Sequence, residues 1–202
     1  VRLPLFPLHT VLFPGGVLPL RVFETRYIDM TRQCLRQGSP FGVCAILDDH
    51  SEVGPGAQPA RVGCLAHVRE CDMAQLGVLK LRAVGGARLR VLATHTQPDG
   101  LLLGEVELLE PEPDQALGAH HAACRRVLEG LLAAVPEAAS ADELGPPIEP
   151  PRRPQSAVWV SHRLAEWLPL PTAEKQALLE LDDPIARLDR IEALLGGAGA
   201  PS

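Results

Sequence analysis

Three groups of side chains in this sequence have the types and spacings that metal or acid–base chemistry uses. Cys64, His67 and Cys71 bring two thiols and an imidazole within eight residues, and His120, His121 and Cys124 bring two imidazoles and a thiol within five. Zinc takes such donors. Within a strand, however, Cys64 and His67 stand an odd number of residues apart and point to opposite faces, so only a bulge would join them. In the second group His120 and Cys124 are four apart on a helix, but His121 and Cys124 fall on its apolar stripe. The spacing favours ordinary sheet residues for the first group, and a core histidine with a core thiol for the second. For the second group no further donor nearby in the chain completes a site, and no metal or cofactor is expected.

Other catalytic arrangements are as poorly supported. Ser161 and His162 are adjacent, but neighbours on a helix lie about 100° apart and do not face each other, so the pair reads as helix surface. No G-x-S-x-G elbow occurs. A G-x-x-x-x-G-K-[ST] loop is also missing, and Lys80 and Lys175 are the only lysines, so the phosphate cradle of an ATPase is not present. The GGAGA run from Gly196 follows a helix instead of a strand and carries no weight as a nucleotide loop. Glu105 and Glu107 share one strand face, and Asp182-Asp183 is accounted for by helix capping. Glu24 stands at a helix start, where the dipole favours negative charge, and Arg21 or Arg26 can bind it bidentately. A salt-bridged brace between helix and sheet is the preferred reading of Glu24, ahead of a polar anchor on the lip of a peptide groove.

The elements that must carry these residues follow from hydrophobic period and punctuation. Two short apolar runs open the chain, with Pro4, Pro7, Pro14 and Pro19 marking strand starts, edges and turns, and Gly15-Gly16 between the runs. From Phe23 the period becomes helical: Phe23, Tyr27, Met30 and Cys34 recur on one side, with Arg26, Asp29, Arg32 and Arg36 opposite. FGVCAILDD then reads as a buried strand, and residues 48–61 as a polar Gly/Pro-rich loop. VGCLAHVREC, GVLKLRAVGG, ARLRVLATHT and LLLGEVELLE read as short strands with turns at Gly77, Gly85-Gly86 and Pro98-Asp99-Gly100. Lys80, Arg82, Arg88 and Arg90 alternate with Leu79, Leu81, Leu89 and Val91, which predicts one apolar and one charged face. Six or seven short strands and one early helix predict a curled antiparallel sheet or small barrel.

Composition changes near Pro111-Glu112-Pro113. Asp114 is the expected cap of a helix carrying Leu117, His121, Cys124, Leu128, Leu131 and Val135, and six prolines make 136–154 an extended connection. Three helices follow, with Ser156, Thr172 and Asp183-Pro184 as their start signals and Gly196-Gly197 as the stop. The predicted fold class is α+β: a β-barrel module over residues 1–112 with one early helix, then a helical bundle over 113–202.

Bulk properties narrow the function classes. Hydrophobic content of 46% with 22% charged residues reads as globular, and a net charge of −6 disfavours a general nucleic-acid binder. Two tryptophans and one tyrosine are few for base-stacking platforms. No apolar stretch approaches the ~20 residues of a membrane-spanning helix. The five cysteines fit no disulfide framework, and with no secretory signal in view the expectation is a cytoplasmic protein with reduced thiols.

LPLFPL, then VLFPG, then LPLRVFETRY followed by a methionine, resembles the start of the LON substrate-binding domain, the amino-terminal part of Lon-type ATP-dependent proteases. VGCLAHV and VGGARLRVL resemble later strands of that family, and WLPLPTAEKQALLELDDPIARLDRIEALL is similar to the helical ending of its stand-alone members. Thr25 departs from the proline that many relatives carry there. The resemblance implies a PUA-like β-barrel followed by helices. It also implies the binding half of the protease alone, since no segment resembles the proteolytic domain with its serine–lysine pair.

The function expected from both lines is non-catalytic binding of unfolded or extended polypeptides in protein quality control, with a protease or chaperone as a further partner. The expected groove lies between β module and bundle, lined by Phe13, Val17, Phe23 and Tyr27, with Arg26 and Asp29 on its rim and Trp159 available to a partner. The alternatives are a PUA-like RNA- or small-ligand-binding module, which fold analogy alone supports, and a metal-dependent enzyme using Cys64 and His67 or His120 and Cys124.

Overall fold

The computed structural model describes residues 1–47, 59–134 and 151–197. The polar loop expected over 48–61 lies outside them except for residues 59–61, and so does the proline-rich connection as far as residue 150. The described elements run in the order β1 (Arg2–Leu8), β2 (Val17–Val22), α1 (Thr25–Gln37), β3 (Phe41–Ala45), β4 (Val62–Gln75), β5 (Val78–Thr96) and β6 (Leu102–Leu108). A 3₁₀ turn (Ala119–His121) then leads into α2 (Ala122–Ala134), followed by α3 (Ala157–Trp167), α4 (Thr172–Glu180) and α5 (Pro184–Gly197).

The strands form one sheet in the order β2-β5-β4-β3-β1-β6, and a further β5–β6 pairing curls it into a near-barrel. The sheet is mixed, not antiparallel throughout, because β1 runs parallel to β3 and antiparallel to β6. The two runs expected as separate strands on either side of Gly85-Gly86 are one 19-residue strand, β5. Its first part pairs with β2 and β4, and its last part with β6. Gly85 serves close approach there instead of a turn. A methyl group built on it would run into the Phe13 carbonyl oxygen, and the Gly85 amide and carbonyl bond to Gly16 and Gly15. The turns expected at Gly77 and at Gly100 do form, both glycines having positive φ.

Alternation along the strands sorts side chains into two clusters on opposite faces. Leu3, Leu5, Cys44, Leu65, Leu89 and Val106 pack together on one face. On the other, Phe6, Phe41, Val43, Leu79 and Leu81 pack with Tyr27, Met30 and Cys34 of α1. Phe23, expected on that helical stripe, precedes the helix and is 70% exposed. A third cluster crosses residue 112: Val11, Phe13, Ala45 and Val62 join Val160, Leu164, Leu178, Leu188 and Ile191.

The helix signals resolve individually. Ser156 caps α3 by accepting the Trp159 amide at 3.1 Å, and Asp183 accepts the Ile185 amide at 2.8 Å at the head of α5. Thr172 is the first residue of α4 and not its cap, the preceding Pro171 holding that position. Asp114 caps no helix of its own; it takes the Ser156 hydroxyl at 2.6 Å, tying the chain before α2 to the start of α3. The helix α3 is buried on nearly every side, its Ser161, His162 and Arg163 included. Among the described residues, no helix is long and apolar enough to cross a membrane.

Candidate functional site

The residues expected to line one groove are distributed by the fold into three environments. Phe13 is fully buried among the helices, its ring tilted against His162 at 5.9 Å between centroids. Tyr27 is buried under α1 and stacks on Phe6 at 4.0 Å. Both are therefore core residues and offer no surface to a ligand. Trp159 is half-buried against the helical cluster, and Val17 is half-buried with its amide donated to Glu166 Oε1 at 3.2 Å. Asp29 is exposed and pairs with Arg32 at 3.3 Å on the outer face of α1. Phe23 alone of the expected apolar lining stands open to solvent.

Arg26 acts as the brace that its spacing from Glu24 suggests. Its Nε and Nη2 donate to Glu24 Oε2 at 2.9 and 2.6 Å, and its Nη1 donates to the Gly100 carbonyl at 2.8 Å. The guanidinium also lies over the Tyr27 ring at 4.8 Å. The helix α1 is thereby fastened to the β5–β6 turn, and Arg26 is engaged instead of waiting on a rim.

Phe23 has neighbours that the sequence pattern does not flag. Leu79 of β5 is the register partner of both Val22 and Met73, so the end of β2 and the β4–β5 hairpin tip meet at one end of the sheet. Met73 is 56% exposed there and Leu76, in the turn, 96%. Phe23, Met73 and Leu76 thus stand, all exposed, at the same end of the sheet. The signal in the sequence was the apolar residue inside the hairpin turn Gln75-Leu76-Gly77, where turn chemistry calls for polar types.

The chemistry-bearing side chains at the junction of sheet and helices form a buried ionic hub. Glu112 accepts Arg88 Nε at 3.0 Å, Arg187 Nη1 at 2.7 Å and Nη2 at 2.8 Å, and His162 Nε2 lies at 3.2 Å. Its side chain and those of Arg88, Arg187 and His162 are all but enclosed. Burial alone would raise the Glu112 pKa, but the hydrogen bonds and charges of His162 and Arg187 outweigh it and hold the carboxyl at about 2. Burial pushes His162 down to about 4; Glu112 opposes this shift and Arg187 reinforces it. Ser161 and His162 are thus interior, not helix surface. The Ser161 hydroxyl donates to Val158 O and accepts from Arg187, both at 3.1 Å, so the two form no nucleophile–base pair. Arg88, expected on a charged outer face, turns in to this hub and also donates to the Leu179 and Leu181 carbonyls and to Asp182. Arg82 of that face is buried as well, beside Glu70.

Cys64 is fully buried and donates to Gly86 O at 3.3 Å, while Cys71 is exposed. A register shift does fall between Cys64 and Ala66, yet Cys64, His67 and Cys71 do not gather into a donor cluster. His121 and Cys124 are core residues, as their stripe predicts.

Comparison with known proteins matches this arrangement to one family. The family described as the ATP-dependent protease La (LON) substrate-binding domain matches residues 2–196. The crystal structure of a Lon N-terminal domain protein from Xanthomonas campestris superposes with a TM-score of 0.76 at 39% identity, covering 96% of this chain and 98% of that one. The N-terminal domain of Lon protease from the Mycobacterium avium complex shares the fold, with a TM-score of 0.62 at 16% identity over 95% of this chain and 96% of that one. Lon protease 2 of Myxococcus xanthus is 28% identical over 96% of this chain and 23% of its own length. Protein cereblon of Danio rerio is 32% identical over 57% of this chain and 28% of its own length. The chain therefore spans about a quarter of the curated relatives it matches. From its PUA-like near-barrel to its carboxy-terminal helices, this chain belongs to the LON substrate-binding domain family.

Proposed function

We propose that this chain binds unfolded or extended stretches of polypeptide and makes no covalent change in them. The observation that carries the reading is the apolar end of the sheet, where Phe23, Met73 and Leu76 are exposed around the Val22–Leu79–Met73 register. Beside it runs β2, which pairs only with β5 among the described strands and so keeps one edge free. A segment of unfolded chain inserts apolar side chains between these three residues and adds backbone hydrogen bonds along β2, with Pro19 limiting how far the pairing runs. Tyr27, in the same core cluster as Val22 and Leu79, supports this end from within. Membership of a protease substrate-binding family supports a protein ligand, delivered onward to a protease or chaperone. On this reading the protein works in the cytoplasm, where its five free cysteines stay reduced.

The test is fluorescence anisotropy with a panel of labelled unfolded polypeptides and a matched polar control peptide. Saturable binding that weakens at least tenfold in the Phe23→Asp and Leu76→Asp variants is expected, with melting temperature unchanged. No binding above the control would remove the proposal. Salt-dependent binding of RNA in its place would favour the nucleic-acid alternative.

A further inference from the structure

We propose that His120, His121 and Asp189 form a site for one divalent transition-metal ion of the zinc class, clipping the start of α2 to α5. The three residues come from the 3₁₀ turn and from α5, 68 positions on, and their ligand atoms lie within 4.8 Å of one another. His121 Nε2 and Asp189 Oδ1 are 2.8 Å apart, and the two imidazole rings sit 3.9 Å apart between centroids. The donor that the sequence pattern could not supply near His120 and His121 is thus delivered by the fold.

A second observation points to a ligand. His121 is completely buried, yet its Nδ1 has no hydrogen-bond partner among the described residues. One turn beyond Asp189 on α5, Glu192 lies against Cys124, whose thiol is pushed up by burial first and then by the charge and hydrogen bond of Glu192. Orphaned buried polar atoms are costly and rare, and this one, His121 Nδ1, belongs to a metal-ligating residue type in the seam between the helices. An ion bound through His121 Nδ1 gives that atom the partner it lacks.

The donor set selects the class of ion. Two imidazoles and a carboxylate suit zinc and its neighbours, whereas calcium and magnesium take oxygen ligands throughout. Zinc–nitrogen bonds of about 2.0–2.1 Å hold tetrahedral donors about 3.3 Å apart, so these atoms close in by no more than about 1.5 Å. His120 is exposed on a short turn and the Asp189 side chain is 61% exposed, so both have room to move. The fourth position falls to Glu192 or to water. The site is independent of the polypeptide-binding surface, which lies at the hairpin end of the sheet.

The test uses the full chain stripped with chelator and titrated with zinc chloride by calorimetry. One equivalent should bind with Kd of about 10 µM or tighter, and millimolar magnesium should not compete. His120→Gln and Asp189→Asn each change an exposed residue, so both should leave the metal-free melting temperature in place and weaken zinc binding at least tenfold. Cobalt substituted for zinc should show the visible bands of a four-coordinate nitrogen–oxygen site. Absence of saturable one-to-one binding, unchanged affinity in either variant, or equal affinity for magnesium would overturn the assignment.

Discussion

Replacing Glu112 with glutamine keeps the shape of the side chain and removes the one carboxylate that two buried guanidiniums share. Arg187 is fully enclosed, and Arg88 nearly so. Arg88 retains Asp182 at 2.8 Å. Arg187 is left with neutral partners alone: the Leu178 and Leu181 carbonyls and the Ser161 hydroxyl. Removing one partner of a buried ion pair typically costs about 3–5 kcal/mol, because the surviving charge stays desolvated. At about 2–4 °C per kcal/mol for a chain of this size, the melting temperature should fall by roughly 6–20 °C. Asp182→Asn is the internal comparison: its side chain is 79% exposed, so the loss should stay within about 1 kcal/mol. Urea unfolding of wild type, Glu112→Gln, Arg187→Met and the double variant completes a cycle. Arg187→Met should recover at least about 1 kcal/mol in the Glu112→Gln background, since it removes the stranded cation. A Glu112→Gln loss below about 1 kcal/mol, or strict additivity in the cycle, would refute the hub as the joint between sheet and helices.

Acid should loosen the same joint in two steps. His162 is pushed below its ordinary 6.5 to about 4, so the stability it contributes is complete above pH 6.5 and drains away as pH falls toward 4. Glu112 is held below its ordinary 4.5 at about 2, so its contribution is complete above pH 4.5 and is lost on the way down to 2. Urea midpoints measured from pH 8 to pH 3 should therefore begin to drop below pH 6.5 and steepen below 4.5; a flat profile down to pH 4 would contradict the burial of His162. Gly85→Ala should cost about 1–3 kcal/mol by forcing the Phe13 carbonyl off β5. Gly130→Ala, where an added methyl meets nothing within 4 Å in the middle of α2, should instead stabilise by about 0.5–1 kcal/mol. Chemical denaturation of the two variants side by side separates steric contact from backbone entropy.

Local signals in the chain reported local structure well. The period change ahead of α1, the Ser156 cap and the Asp183-Pro184 start were legible because each depends on a few residues in a row. What the chain hid was long-range. Gly85-Gly86 looks like a turn, and only the approach of residues 13–16 reveals why glycine stands in a continuous strand. Arg88 alternates like a surface residue, and nothing near it announces that Glu112 and Arg187 will enclose it. The residues expected to line one groove are likewise sorted by long-range packing, Phe13 into the helical cluster and Tyr27 under the sheet. Phe13 and Tyr27 are apolar, which marks core and contact residues alike, whereas Leu76 is apolar where turn chemistry calls for polar types. Asp189 lies 68 residues from His121, beyond the reach of any spacing rule.

The position of β1 bears on how this chain emerges from a ribosome. Residues 2–8 sit between β3 and β6, so one of their two edges stays open until residues 102–108 have been made. At about 5–20 residues per second, that leaves an apolar strand half-paired for several seconds of synthesis. The opening segment of a chain proposed to hold unfolded polypeptides is thus itself, for a time, an unfolded polypeptide in need of holding.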